Sequence, residues 1–164
     1  MSEPPSTIRP ATPDDRDLVT AALYTALAWD PADPIPPMDV VVAHPKIAVY
    51  HEGWMRPGDR GVVAEIYGAF VGMAYCRVFD ESMGSQGFYD DETPELAVAV
   101  HAAFRGRGIG RRLIEALHGM AADAGVERMS LSVAGGNPAL RLYERMGYRT
   151  VRDTGGDRLM VADL

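Results

Sequence analysis

The stretch from Glu95 to Val133 constrains the fold more than any other part of the chain. It reads ELAVAV, then HAAFRGRGIG, then RRLIEALHGMAADAG, then VERMSLSV. The first six residues are an almost continuous apolar run, the pattern of a strand covered on both faces. Ile109, Leu113, Leu117, Met120 and Ala124 then recur at helical spacing as far as Gly125, which predicts an amphipathic helix stopped by a glycine cap. RMSLSV returns to strand character. Strand, helix and strand in this order form a βαβ unit, which places the helix N-terminus at the carboxyl edge of a sheet. Gly106, Gly108 and Gly110 stand where that helix begins. Glycines cost helix stability, but they let bare backbone N–H groups approach an anion.

The flanking segments extend the alternation. IRPATPDD predicts a short strand at residues 7–9 and a helix with Thr12 as cap, Pro13 at the first position and Asp15 as the capping-box acid. The prolines of WDPADPIPPMD forbid regular structure, and residues 38–54 hold a helix interrupted or ended near Pro45. A hairpin follows from VVAEIY and VGMAYCRVF with a turn at GAF, then a polar loop over residues 80–94. After RMSLSV, GGN makes a break, and PALRLYERMGY reads as a helix capped by Asn137 with Pro138 at its first position. Residues 148–163 form a last hairpin.

Two familiar phosphate motifs fail on spacing. In GxGxxG counted from Gly106 the third glycine is Arg111, and counted from Gly108 it is Leu113; no Gly-Lys-Ser/Thr follows either. The pattern Q/R-x-x-G-x-G/A does fit, through Arg105, Gly108 and Gly110. In the context ELAVAVHAAFRGRGIGRRLIEAL it resembles the acyl-CoA-binding motif of the GCN5-related N-acetyltransferase (GNAT) superfamily. IRPATPDD resembles that superfamily's first strand and helix, and SVAGGNPALRLYERMGYR its later strand, break and helix.

The resemblance implies a mixed α/β fold, a mostly antiparallel twisted sheet flanked by helices and splayed between strands 4 and 5. It implies acetyl-CoA as co-substrate. The pyrophosphate would meet N–H groups and side chains of Arg105, Gly106, Arg107, Gly108, Ile109, Gly110 and Arg111, with Arg112 adding positive field; the alternative for Arg107 and Arg112 is that they are only solvated charges. In similar enzymes the strand before the motif bulges and splays, so the backbone of Val98 and Val100 would bind pantetheine in the gap and polarise the thioester oxygen. Asn137 is a helix cap that also occupies a pantetheine-contacting position. Gly135 and Gly136 permit close approach or serve as loop glycines. Tyr143 matches the tyrosine that protonates the departing thiolate in many GNAT enzymes; the alternative is a tyrosine that only packs. Glu95 is the candidate base, against a solvated strand end, with a water chain as the other route for the proton.

Composition excludes other classes. A net charge of −7 has the wrong sign for a protein held on nucleic acid by phosphate neutralisation. No segment has the length of a membrane span, and MSEPPSTIRP has neither a basic flank nor an apolar run, so the expectation is a soluble, cytoplasmic protein. Residues 1–164 suffice for a single acetyltransferase domain. His44, His51, His101 and His118 lack ligand spacing, so no metal is expected. Cys76 reads as an inert core thiol. Trp29, Trp54, Tyr75 and Phe88 read as packing or as walls of an acceptor pocket.

The partner is expected to be a small-molecule or peptide amine, and similar proteins commonly form homodimers. Asp80, Glu81, Asp90, Asp91, Glu92 and Glu95 make residues 80–95 acidic with no lysine or arginine. They are either a solvated loop or, if the loop overhangs the cleft, a lure for a cationic amine. The competing function is a non-catalytic acyl-CoA-binding sensor; Tyr143 and the intact GGN break favour catalysis.

Overall fold

The computed structural model describes residues 4–164. Expectations that reach residues 1–3, at the start of MSEPPSTIRP and of the single-domain span, lie outside the described residues. The strands are β1 (Thr7–Pro10), β2 (Arg60–Ile66), β3 (Ala69–Arg77), β4 (Glu95–Val100), β5 (Arg128–Ala134), β6 (Arg149–Asp153) and β7 (Asp157–Asp163). The helices are α1 (Arg16–Leu27), α2 (Met38–Ala43), α3 (Pro45–Ala48), α4 (Ile109–Asp123) and α5 (Leu140–Arg145). One sheet takes in every strand in the order β1-β2-β3-β4-β5-β7-β6. Only β4 and β5 are parallel, as the βαβ reading requires.

Local chemistry explains most boundaries. Tyr67 and Gly68, with φ of 50° and 76°, make the two-residue turn between β2 and β3, the left-handed pair that suits a twisted hairpin. Thr12 and Asp15 do meet, Thr12 N donating to Asp15 Oδ2 at 2.7 Å. The segment they open is a 3-10 turn, Pro13–Asp15, and α1 starts only at Arg16. Asp15 also receives both arms of Arg9 at 2.8 Å, tying α1 to β1. The expected helix over 38–54 is split at His44, where Pro45 forces an extended φ and ψ of −64° and 131°.

The sheet separates two cores. On one face Ile109, Leu113, Ile114, Leu117 and Ala121 of α4 pack against Ala74, Cys76 and Leu96. Each of the fully buried Leu113, Ile114 and Leu117 contributes roughly 1.5–3 kcal/mol. Met120 is partly buried, but Ala124 is exposed at the helix end. On the other face Val19 and Ala22 of α1 cover Met73, Tyr75 and Ala99. Cys76 is buried, and desolvation pushes its thiol up to about 12, which makes it inert. Edge strand β6 is exposed throughout; its charged RTVRD sequence discourages pairing with a second sheet edge.

β4 and β5 pair only at Glu95 and Ser130 and then part. The bulge expected in β4 is absent: its register with β3 runs unbroken from Arg77↔Glu95 to Gly72↔Val100. ELAVAV holds no glycine or proline to take up an extra residue, and the sheet's irregularities fall instead between Ala64 and Glu65 of β2 and between Thr150 and Arg152 of β6.

Candidate active site

The parting of β4 from β5 leaves a cleft of about 1380 Å³. Its back wall is unpaired backbone. His101 N donates to Val71 O at 2.8 Å, so His101 faces β3. Antiparallel ladders alternate by two, so Ala97 and Ala99 also turn their backbone groups to β3, and Leu96, Val98 and Val100 turn theirs to the β5 side. Ser130 N, which donates to Pro94 O at 2.9 Å across that side, has the matching parity. Past this point β5 is out of reach, so the N–H groups of Val98 and Val100 open on the cleft. Val100 O is taken by Arg105 Nε at 3.1 Å.

At the carboxyl end of β4 lies the N-terminus of α4. Gly106 and Gly108 have φ of 76° and 75°, values costly for any residue with a Cβ. Nothing lies within 4 Å of where their Cβ atoms would be; at Gly110 a Cβ would stand 3.3 Å from Leu142 Cδ2. Two glycines are thus needed for backbone shape and the third for packing against α5. No side chain caps this helix, and its first-turn N–H groups open where Arg105, Gly106, Gly108, Ile109, Gly110 and Arg111 line the cleft. The geometry and the helix dipole suit this end of the cleft to an anion.

The arginines divide. Arg105 and Arg111 line the cleft, Arg111 paired with Glu115 at 2.8 Å. Arg107 lies outside it, donating to Ala103 O at 3.2 Å with its guanidinium over the Phe104 ring. Arg112 is also turned away, held by the hydroxyl and carbonyl of Ser6.

Asn137 lines the cleft and caps α5's approach, Oδ1 accepting from Ala139 N at 2.9 Å. Tyr143 lines the same wall, 9% exposed, with its ring edge-on to Tyr148 at 6.0 Å. Burial pushes its phenol up to about 12, so at neutral pH the hydroxyl keeps its proton.

The amino end of β4 is built differently. Glu95 is 6% exposed, which overturns the reading of a solvated strand end. Its Oε1 accepts from Tyr50 Oη and Gly87 N, each at 3.0 Å, and Oε2 has no hydrogen-bond partner among the described residues. Burial raises its pKa above the ordinary 4.5, opposed by the nearby Ser85 hydroxyl, Tyr50 and Gly87. Gly87 leaves room for that carboxylate: a Cβ there would lie 2.7 Å from it, and the Glu95 side chain would have to shift.

Tyr50 has no signal in the sequence. It stands at the end of α3, receives a bond from Gln86 N at 2.7 Å and donates to Glu95. Arg77, fully buried beside Glu95 in the ladder, fixes that segment by donating to Val49 O and Glu52 O at 2.9 and 2.7 Å while its other nitrogens pair with Asp59. Of the loop acids only Glu95 lines the cleft. Asp90 accepts from Glu92 N and Thr93 N, and Asp91 and Glu92 are exposed; the overhanging acidic lure is not there because the acid that could bend inward is used to close its own turn. Trp29 lines the cleft, whereas Trp54 and Tyr75 stack in the core under α1 and Phe88 packs near Tyr50.

The model of the acetyltransferase (GNAT) family matches residues 22–148. The chain belongs to that family. Among solved GNAT-like structures, the PaiA N-acetyltransferase of Thermoplasma acidophilum, in complex with coenzyme A, aligns with a TM-score of 0.73 at 12% identity, covering 98% of this chain and 99% of that one. YncA of Salmonella typhimurium, proposed to be an acetyltransferase and solved with its cofactor acetyl-CoA, aligns at 0.70 with 25% identity over 98% of this chain and 94% of that one. The mycothiol acetyltransferase of Propionibacterium freudenreichii is 29% identical over 141 residues, 84% of this chain. The chain spans about two fifths of the length of that relative, 41%. Among the described residues no helix is long and apolar enough to cross a membrane, and no group of three or more His, Cys, Asp or Glu is placed to hold a metal ion.

Proposed function

We propose that this GNAT domain, residues 1–164, is an acetyl-CoA-dependent N-acetyltransferase that transfers the acetyl group directly to a primary amine. The observation that carries the reading is the row of unpaired backbone donors at Val98 and Val100 leading to the uncapped N-terminus of α4. An extended amide chain ending in a pyrophosphate fits that row: strand-like hydrogen bonds for the arm, helix N–H groups for the phosphates. The CoA-bound relatives support the same choice. When bound, acetyl-CoA supplies an acyl group activated as a thioester.

The chain's own residues then have distinct work. Val98 or Val100 N–H donates to the oxygen that gains charge during attack. Tyr143 Oη gives its proton to the departing sulfur as the C–S bond breaks and the new C–N bond forms. Glu95 receives the proton that the amine loses, its raised pKa making it a better base near neutrality. It precedes Val98 by three residues, roughly 10 Å along the strand, so water carries the proton between them. Arg105 and Arg111 hold the phosphates.

Titration calorimetry with CoA, alongside thiol release from acetyl-CoA in a panel of amines, tests the reading. Micromolar CoA binding with amine-dependent thiol release is the expected result. Tight CoA binding without turnover in any amine would establish the sensor function instead.

A further inference from the structure

The half of the cleft beyond the cofactor groups has its own composition. Its wall at the amino end of β4 is mainly apolar, with Leu23, Leu27, Trp29 and Ile47 beside Tyr50 and Glu95, and two neutral polar residues, Thr25 and Gln86, also line it. α1 runs so that Val19 packs on Ala99 while Leu23 packs on Tyr50, which brings Leu27 and Trp29 to the rim at the Glu95 end. Leu27 is 38% exposed there, and Met38 and Val40 of the neighbouring α2 are also large, apolar and exposed. Among the described residues no lysine or arginine lines this half. The other charged residues of the cleft, Arg105, Arg111, Glu115, Arg145 and Asp157, belong to α4, α5, the loop after β4 and the start of β7, where Asp157 pairs with Ala134 at the carboxyl end of β5.

This half therefore offers one negative group among apolar walls. Among the described residues Glu95 has no cationic partner, and its Oε2, with only the Ser85 hydroxyl nearby, makes no hydrogen bond. A buried carboxylate in that condition favours a ligand that brings a single positive charge. An acceptor with a carboxylate or phosphate would find no cation here and would face Glu95; a second ammonium would find no second anion; a row of hydroxyls would meet mostly Leu23, Leu27 and Ile47, with only the Gln86 side chain and Thr25 Oγ1, which already donates to Ala21 O, to replace lost water.

We propose that the acceptor is a primary monoamine on an apolar body, aryl-alkyl or branched alkyl, and not an amino acid, a diamine or an amino sugar. The inference rests on the transferase reading for its chemistry, and on the wall composition alone for its selectivity.

Matched pairs isolate the claim: 2-phenylethylamine against phenylalanine, isoamylamine against leucine, hexylamine against hexane-1,6-diamine, with glucosamine as the polar amine. Each is measured twice, by calorimetric binding to the CoA-loaded protein and by thiol release with acetyl-CoA. The apolar monoamine of every pair should exceed its partner by about 100-fold in affinity or kcat/KM, since the partner leaves a charge unpaired. Leu27→Asn, at an exposed position, and Trp29→Ala should each cut that advantage by about fivefold or more with CoA affinity unchanged. Equal or better use of phenylalanine, leucine or the diamine overturns the inference and leaves the transferase reading standing. The predicted binding order without thiol release from any amine sustains the selectivity and removes the transferase reading. If no amine binds or reacts, both fall.

Discussion

The two ends of β4 make opposite halves of one cleft by opposite means. At the carboxyl end, the cleft wall is carried by backbone: N–H groups of Val98, Val100 and the first turn of α4, shaped by Gly106 and Gly108 at φ near 75°. At the amino end it is carried by side chains brought from α1, α3, the loop at 86–87 and β4 itself. A backbone site binds what every acyl-CoA shares. A side-chain site can be rebuilt without disturbing it, so one scaffold serves one donor and many acceptors.

Tyr143, on the α5 wall between those ends, gives the largest test. Tyr143→Phe removes one hydroxyl and almost no volume from a residue already buried, so turnover should fall by about two to four orders of magnitude with CoA affinity nearly constant. Wild-type turnover would reduce Tyr143 to a packing residue. Gly108→Val comes next. A β-branched residue at φ 75° costs enough to move the loop although its Cβ would meet nothing, and a loss of about 10- to 100-fold in calorimetric CoA affinity should follow. An unchanged affinity in the folded variant would contradict the backbone account of the carboxyl end.

Tyr50→Phe acts at the amino end and sharpens the contrast. Losing its hydrogen bond to Oε1 removes an influence that lowers the Glu95 pKa. The acidic limb of the kcat/KM profile should therefore move to higher pH, with a loss of about tenfold or less in the rate plateau and no change in CoA binding. A fall in CoA affinity would mean that the two halves are not separable.

The same division governs what the sequence reveals. The βαβ order and the glycines are consequences of contiguous residues, and periodicity with turn chemistry exposes them; the donors at Val98 and Val100 were legible only through the family resemblance of that segment. Tyr143 was accessible through the segment around it. Tyr50, Gly87 and Arg77 were not, because their roles depend on contacts 45, 8 and 28 residues away in the chain, which no local pattern encodes. Charge counting left the loop at 80–95 open between a solvated run and a lure: composition shows six carboxylates but not that Asp90 Oδ1 closes its own turn and that, of the six, only Glu95 lines the cleft. The sequence likewise left Arg107 and Arg112 open between anion contact and solvated charge, since position beside the glycines does not fix which way a long side chain turns.

The smallest expected effect concerns stability, and it asks whether Glu95 is kept for chemistry at a cost to the fold. Burial raises its folded pKa above the ordinary 4.5. Between that value and the raised one the folded state binds more protons than the unfolded state, so stability falls as pH rises through this window. Glu95→Gln retains an oxygen able to accept from Tyr50 and Gly87 and carries no charge, so it abolishes this dependence. Its melting temperature should match the wild type below pH 4.5 and exceed it at pH 8. For a chain of this size the gain is about 2–4 °C per kcal/mol of relieved desolvation. Asp15, whose pKa is lowered by the Arg9 hydrogen bonds, works in the opposite direction, contributing stability that is lost as pH falls; it is present in both proteins and cancels from the difference. A Gln variant that melts lower than wild type at pH 8 would show that the ionised carboxylate holds the amino end together, and that the two ends of β4 differ in design but not in what they cost the fold.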